Sequence, residues 1–201
     1  MSKSIVLGLT GPMGSGKSVV AEIFKINGYA IVDADKIAKE VTEKGSKTLK
    51  QLSLCFGEDI INDDGSLNRA LLSKRAFNDK CESEKLNAIT HPAILAKVKE
   101  KIAYYKLDGY EKIIYDAPLL FESGSDKLCD KVLCVIAPKS VRMDRVKKRD
   151  NMNEAEIIKR MNAQHNDEYY ISKSDYVIIN DCEKTELLDK VNSVIKKIDE
   201  V

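Results

Sequence analysis

Tryptophan is absent from these 201 residues, and aromatic side chains make up only 6%. No apolar run approaches the roughly 20 residues needed to span a bilayer, so no membrane helix is expected. Cysteine occurs five times (Cys55, Cys81, Cys129, Cys134, Cys182) and never as a C-x-x-C pair. An odd, scattered set of this kind points to reduced thiols rather than a disulfide framework. The two histidines, His91 and His165, are far apart and have no cysteine at ligand spacing, which argues against a zinc centre. An excess of either charge is also missing. Lys plus Arg total 33 against 32 Asp plus Glu, a net charge of +1 with no footprint of nucleic-acid binding. Met1-Ser2-Lys3-Ser4 leads directly into an apolar run, so no signal peptide and a cytoplasmic location are expected. There are no internal repeats and no low-complexity linker. The charged share of 32% suits a helix-rich protein with many solvated faces.

What is present begins with Gly11-Pro12-Met13-Gly14-Ser15-Gly16-Lys17-Ser18, which reads G-x-x-x-x-G-K-S, a phosphate-binding loop. Its context fits. Ile5 to Leu9 reads as a buried strand before it, and Val19 to Ile26 as a helix after it, stopped by Asn27-Gly28. Gly14 and Gly16 allow the backbone to curl around a polyphosphate, with the loop N–H groups and the helix N-terminus facing the anion. Lys17 would place an ammonium near the β- and γ-phosphates, and Ser18 a hydroxyl on Mg²⁺.

Four further apolar runs read as strands: Tyr29–Val32, Ile113–Tyr115, Val132–Ile136 and Tyr176–Ile179. Each is short and nearly continuous, as in parallel strands covered on both faces, and helical patterns separate them. A five-stranded, doubly wound parallel sheet in a three-layer α/β/α arrangement follows. Two connections exceed a simple crossover. Residues 35–109 would form a helical substrate-binding insert, clearest over Ala93–Tyr105, with Ile94, Val98 and Ile102 at helical spacing. Residues 138–173 would hold two helices broken near Asp150-Asn151-Met152-Asn153. The remaining segments, about 1–34, 110–137 and 174–201, make up the core of what reads as one domain.

Carboxylates mark two strand ends. In Asp33-Ala34-Asp35-Lys36, one aspartate can be a helix N-cap, and Asp35 is the better candidate because Ile37–Val41 follows as helix. That leaves Asp33 either as an ordinary strand-end residue or as a base that takes the proton of an acceptor hydroxyl. Asp116 ends Ile113-Ile114-Tyr115-Asp116, where it is either a turn residue or a Walker B-type carboxylate for Mg²⁺.

Arg142, Arg145 and Arg149 fall at i, i+3 and i+7, with Arg160 and Gln164 on the next helical pattern. Three arginines on one face suit a lid that closes over phosphates, since the guanidinium fork matches phosphate oxygens. His91-Pro92 reads as the opening of the long helix, with proline in its first turn. Arg69 stands at the start of another helix and meets either an anionic substrate or solvent. Asn180-Asp181 follows the last strand, where an adenine edge can be read or an ordinary turn made.

Taken together, these motifs resemble the dephospho-coenzyme A kinase family over nearly the whole length. The resemblance rests on Gly8–Ser18, Val32–Asp35, Gly65–Arg69, Leu86–Pro92, Asp116–Glu122, Arg145–Asp150, Arg160–Gln164 and Asp175–Asn180. It implies ATP-dependent phosphorylation of the ribose 3′-hydroxyl of dephospho-CoA, with Mg²⁺ at Ser18 and Asp116. It also implies Asp33 as base, Lys17 and Arg145 on the transferring phosphoryl group, and Arg69 and His91 in the substrate lobe. The nucleotide would be bound by Gly14, Ser15, Gly16, Lys17, Ser18, Val19, Arg145 and Asn180. A monomer is expected, with ATP and dephospho-CoA as partners. The chain departs from the family at Pro12 (usually Gly), Val19 (commonly Thr) and Arg142 (often Gln). A GTPase-type switch would require an Asn-Lys-x-Asp motif, and none occurs.

Overall fold

The computed structural model describes residues 4–150 and 152–200. Met1 to Lys3, on which the expectation of no leader partly rested, lie outside the described residues, as do Asn151 of the helix break and Val201. The chain divides into two compact units: one runs to Val32 and resumes at Tyr105, and the other is Asp33–Tyr104.

All five expected strands form: β1 (Ile5–Thr10), β2 (Ala30–Asp33), β3 (Lys112–Asp116), β4 (Lys131–Ile136) and β5 (Tyr176–Ile179). They make one parallel sheet in the order β2-β3-β1-β4-β5. β1 is central, pairing with β3 from Ile5↔Lys112 to Leu9↔Asp116 and with β4 from Leu7↔Lys131 to Thr10↔Cys134. Both pleat faces of β1 are covered, with Val6, Leu7 and Leu9 each at most 1% exposed, which explains the unbroken apolar run. On one face α1 (Lys17–Ile26) and α9 (Lys184–Asp199) supply Val20, Phe24, Leu187, Val191 and Val194 against Leu7, Leu9, Leu133 and Ile178. Each such fully buried side chain contributes about 1.5–3 kcal/mol. On the other face Tyr170 of α8 (Asp167–Ser172) packs on Cys134 and Ile136.

Between β4 and β5 lie three helices rather than two: α6 (Lys139–Asp150), α7 (Glu154–Asn162) and α8. The break falls where expected, because the Asn153 side chain accepts the Glu156 N–H and starts α7. The third helix is only six residues long and is capped by Asn166, too short for a periodic signal. Burial pushes the Cys129 thiol up to about 12 and that of Cys134 to about 11, and all five cysteines are unbridged thiols. Among the described residues, no helix is long and apolar enough to cross a membrane.

The second unit has α2 (Ala34–Glu40), α3 (Lys47–Phe56), α4 (Arg69–Ala76) and most of α5 (Lys80–Leu107) around its own core of Leu52, Phe56, Ile60, Leu72 and Ala76. Here two expectations are corrected. His91-Pro92 does not open the long helix; Pro92 lies inside a 28-residue α5. Proline removes one helical hydrogen bond at that point. The helix nevertheless continues because both halves are anchored: Leu86 and Ile89 pack on the unit's core, and Val98 and Ile102 are buried. The second correction concerns the first helix. Asp33, not Asp35, is the N-cap of α2, its Oδ1 accepting the Lys36 N–H at 3.0 Å, while Asp35 sits in the first turn.

Candidate active site

The phosphate-binding motif forms a loop between β1 and α1. Within it the Ser15 N–H donates to the Pro12 carbonyl at 3.1 Å. Gly14, third residue of this turn, has φ +81°, the value a type II turn requires there. Pro12 is compatible with this turn because the first residue contributes only its carbonyl. Gly16 caps α1 with φ +96° and ψ 16°, in the left-handed region. The N–H groups of Gly14, Gly16 and Lys17 have no protein acceptor among the described residues, which leaves them for an anion at the positive helix end.

Lys17, the first residue of α1, directs its ammonium to the Asp116 carboxylate at the end of β3. Both side chains are nearly buried, at 14% and 11% exposed, so the pair holds the lysine across the mouth of the loop. Ser18 follows on the exposed side of the helix. A serine hydroxyl and an aspartate carboxylate are oxygen donors, the kind Mg²⁺ takes. Among the described residues no cluster of three His, Cys, Asp or Glu side chains can hold a metal. Two protein oxygens match an ion that takes its other ligands from phosphates and water.

Three side chains from distant parts of the chain grip the loop from outside. Asn180, directly after β5 and 3% exposed, donates from Nδ2 to the Ser15 carbonyl at 2.7 Å and accepts from Arg145 at 3.2 Å. Both ends of its amide thus make a bond to protein, which ties Asn180 to the loop. Arg145 also reaches the Ser15 and Gly14 carbonyls at 3.3 and 3.5 Å. Those contacts are long enough to be exchanged for a phosphate oxygen. Gln164, just past α7, accepts the Met13 N–H at 2.9 Å. Ser15 has its N–H turned to Pro12, its carbonyl held by Asn180 and Arg145, and its Oγ buried without a partner among the described residues. Val19 is 42% exposed on the first turn of α1.

The arginine face divides. Arg145 reaches the loop with its guanidinium, whereas Arg142 lies against it through its backbone, whose carbonyl would sit 2.6 Å from a Cβ at Gly14. Arg142 is buried 3.6 Å from Asp167, and Arg149 forks onto the adjacent Asp150 at 2.6 and 2.7 Å. Periodicity placed the three together, but Arg142 is out of solvent beside Asp167 at the start of α8.

In the second unit, the Asp33 Oδ2 lies 3.8 Å from Lys36 Nζ, an exposed pair of little energetic weight. Arg69 donates to Thr42 Oγ1 at 3.0 Å and to the Lys39 carbonyl at 3.3 Å, a cation on the C-terminal end of α2. His91 is half-buried on α5, and burial lowers its pKa below the usual 6.5. The folded form therefore resists protonation while the unfolded chain takes a proton near 6.5, so stability is lost as pH falls below about 6.5. We expect the thermal midpoint of the wild type to drop more between pH 7.5 and 5.5 than that of His91→Gln. Parallel curves would show that His91 titrates alike in both states.

The model of the dephospho-CoA kinase family matches residues 5–186. The dephospho-CoA kinase of Syntrophotalea carbinolica is 37% identical over 194 residues, covering 96% of this chain and 92% of that protein. The Saccharomyces cerevisiae dephospho-CoA kinase is 38% identical, covering 96% and 83%. Among solved structures, the dephospho-CoA kinase of Campylobacter jejuni superposes with a TM-score of 0.73 at 26% identity, over 96% of each chain. A match that begins in β1, takes in the loop with Lys17 and Asp116, and runs on into α9 leaves one assignment: the chain belongs to the dephospho-CoA kinase family.

Proposed function

We propose that the chain transfers the γ-phosphoryl group of ATP to the ribose 3′-hydroxyl of dephospho-CoA, yielding coenzyme A and ADP. Kinases of this family work with ATP and in general require Mg²⁺. The observation that carries the reading is the Gly11–Ser18 loop, with its unpaired N–H groups and Lys17 held on Asp116, inside a family match of 182 residues, 5–186.

In this reading the N–H groups of Gly14, Gly16 and Lys17 cradle the β- and γ-phosphates. Ser18 and Asp116 would hold Mg²⁺, the latter directly or through water, and the ion would neutralise phosphate charge when bound. Lys17 then follows the β- and γ-oxygens. Asp33 accepts the proton of the 3′-hydroxyl as its oxygen bonds to the γ-phosphorus, and the bond from that phosphorus to the bridging oxygen of ADP breaks. Arg145 exchanges its long carbonyl contacts for an oxygen of the transferring group. Arg69 and His91 contribute to the acceptor lobe, residues 138–173 act as a lid that keeps water out, and Val19 and Asn180 border the nucleotide. The unbridged thiols suit a monomer working in a reducing cytoplasm.

A coupled ADP-release assay across candidate acceptors tests the reaction: dephospho-CoA should be strongly preferred, and preference for a nucleoside or nucleotide would defeat the proposal. Arg145→Ala should lower turnover by roughly tenfold to a hundredfold, as the loss of a partly exposed charge-stabilising donor does, and should weaken dephospho-CoA binding less. The reverse pattern would place Arg145 on the acceptor.

A further inference from the structure

We infer that Gln164 and Met13 form a latch that sets the shape of the phosphate-binding loop, which makes Gln164 a positioning residue for ATP. Two independent contacts meet at the loop tip. The Met13 N–H donates to Gln164 Oε1 at 2.9 Å, across 151 residues of sequence. The Met13 side chain packs into an apolar cluster of Val146 on α6 with Ile157 and Met161 on α7, joined by Met143 and Met152. Gln164 is itself tied to the end of α7, its N–H donating to the Met161 carbonyl at 3.2 Å.

The consequence is mechanical. Met13 is the second residue of the Pro12–Ser15 turn, so its position sets the direction of the next N–H, that of Gly14. Without an acceptor, the Met13 N–H would turn toward water, and the tip would rotate about Gly14, the most permissive residue of the turn. Asn180 holds the far side of the loop through the Ser15 carbonyl, Arg145 reaches the Ser15 and Gly14 carbonyls, and the Met13 N–H is held by Gln164. The latch thus joins the α6–α7 pair to the loop that receives phosphates. Movement of α7 would reach the loop through these two contacts.

The inference rests on the proposed ATP site at this loop, and a double-mutant cycle separates the two. Gln164→Met keeps length and volume but removes the acceptor, Met13→Ala removes the packing, and the third protein carries both changes. In each, the KM values for ATP and dephospho-CoA and the thermal midpoint are measured. Gln164→Met should raise the KM for ATP about fivefold to tenfold, the equivalent of one partly buried hydrogen bond, and leave that for dephospho-CoA unchanged. The double variant should be worse than the worse single by less than twofold, because either change alone opens the latch. An unchanged KM for ATP in a folded Gln164→Met protein would overturn the latch. So would an equal rise in both KM values, or multiplicative effects in the double variant. A wild type lacking saturable ATP dependence would instead overturn the ATP site.

Discussion

Asp33→Asn should bind ATP normally, fold normally and lose turnover by about 10²–10⁴-fold, the usual effect of removing a general base. The structure makes this substitution unusually informative. Asp33 has a second task as N-cap of α2, accepting the Lys36 N–H at 3.0 Å. Asparagine caps a helix as well as aspartate does, so its Oδ1 can take over that hydrogen bond. What is lost is the capacity to accept a proton, together with the weak ion pair to Lys36. Asp33→Ala would remove both tasks and cost about 1 kcal/mol of stability from the cap alone, mixing a folding defect into the kinetics. The pair of variants therefore separates the roles: Asn tests chemistry with the cap kept, and Ala minus Asn gives the cap. Steady-state rates at saturating ATP and dephospho-CoA, with thermal midpoints for both, are sufficient. Turnover within threefold of wild type in Asp33→Asn would leave Asp33 as a cap only.

The sheet could be read from the sequence because β1, β3 and β4 are buried on both faces and appear as short, continuous apolar runs, and because edge strand β5 keeps such a run although Val177 and Ile179 are exposed. The loop motif was legible for a similar reason, since its glycines, lysine and serine lie within eight neighbouring positions. Where sequence reasoning failed, the deciding interaction was tertiary or the helix began one residue early. Two aspartates flank Ala34, and either can cap; the choice of Asp33 follows from α2 beginning at Ala34. Pro92 suggests a helix start by local rules, and only the anchoring of α5 on both sides keeps the helix going through it. The i, i+3, i+7 spacing could not reveal that Arg142 is buried beside Asp167 while Arg145 reaches the loop. Nor does any local signal tell that Asn180 and Gln164 grip Ser15 and Met13, since those contacts span 165 and 151 residues.

A sharp structural sensitivity lies at Gly16, where Gly16→Ala should weaken ATP binding by about 10²–10³-fold while the fold persists. Two costs combine. The residue sits at φ +96°, in the left-handed region, which penalises an L side chain by about 1–2 kcal/mol. A Cβ built there would lie 2.1 Å from Nδ2 of Asn180, well inside contact distance. Asn180 cannot simply swing aside. It is buried, it holds the Ser15 carbonyl at 2.7 Å, and its retreat would break that bond and the one from Arg145. Losing two such bonds costs about another 2 kcal/mol, and the sum of about 3–4 kcal/mol corresponds to the stated loss of affinity. The rest of the sheet has no reason to follow, because Val20 and Phe24 still anchor α1. Calorimetric ATP titration with a parallel thermal melt checks both parts. Asn180→Ala deletes the same two bonds, so adding it to Gly16→Ala should cost little further affinity. A full additional loss in the double variant would show that Asn180 keeps its bonds in Gly16→Ala, whereas wild-type affinity in Gly16→Ala would mean that ATP does not use this loop.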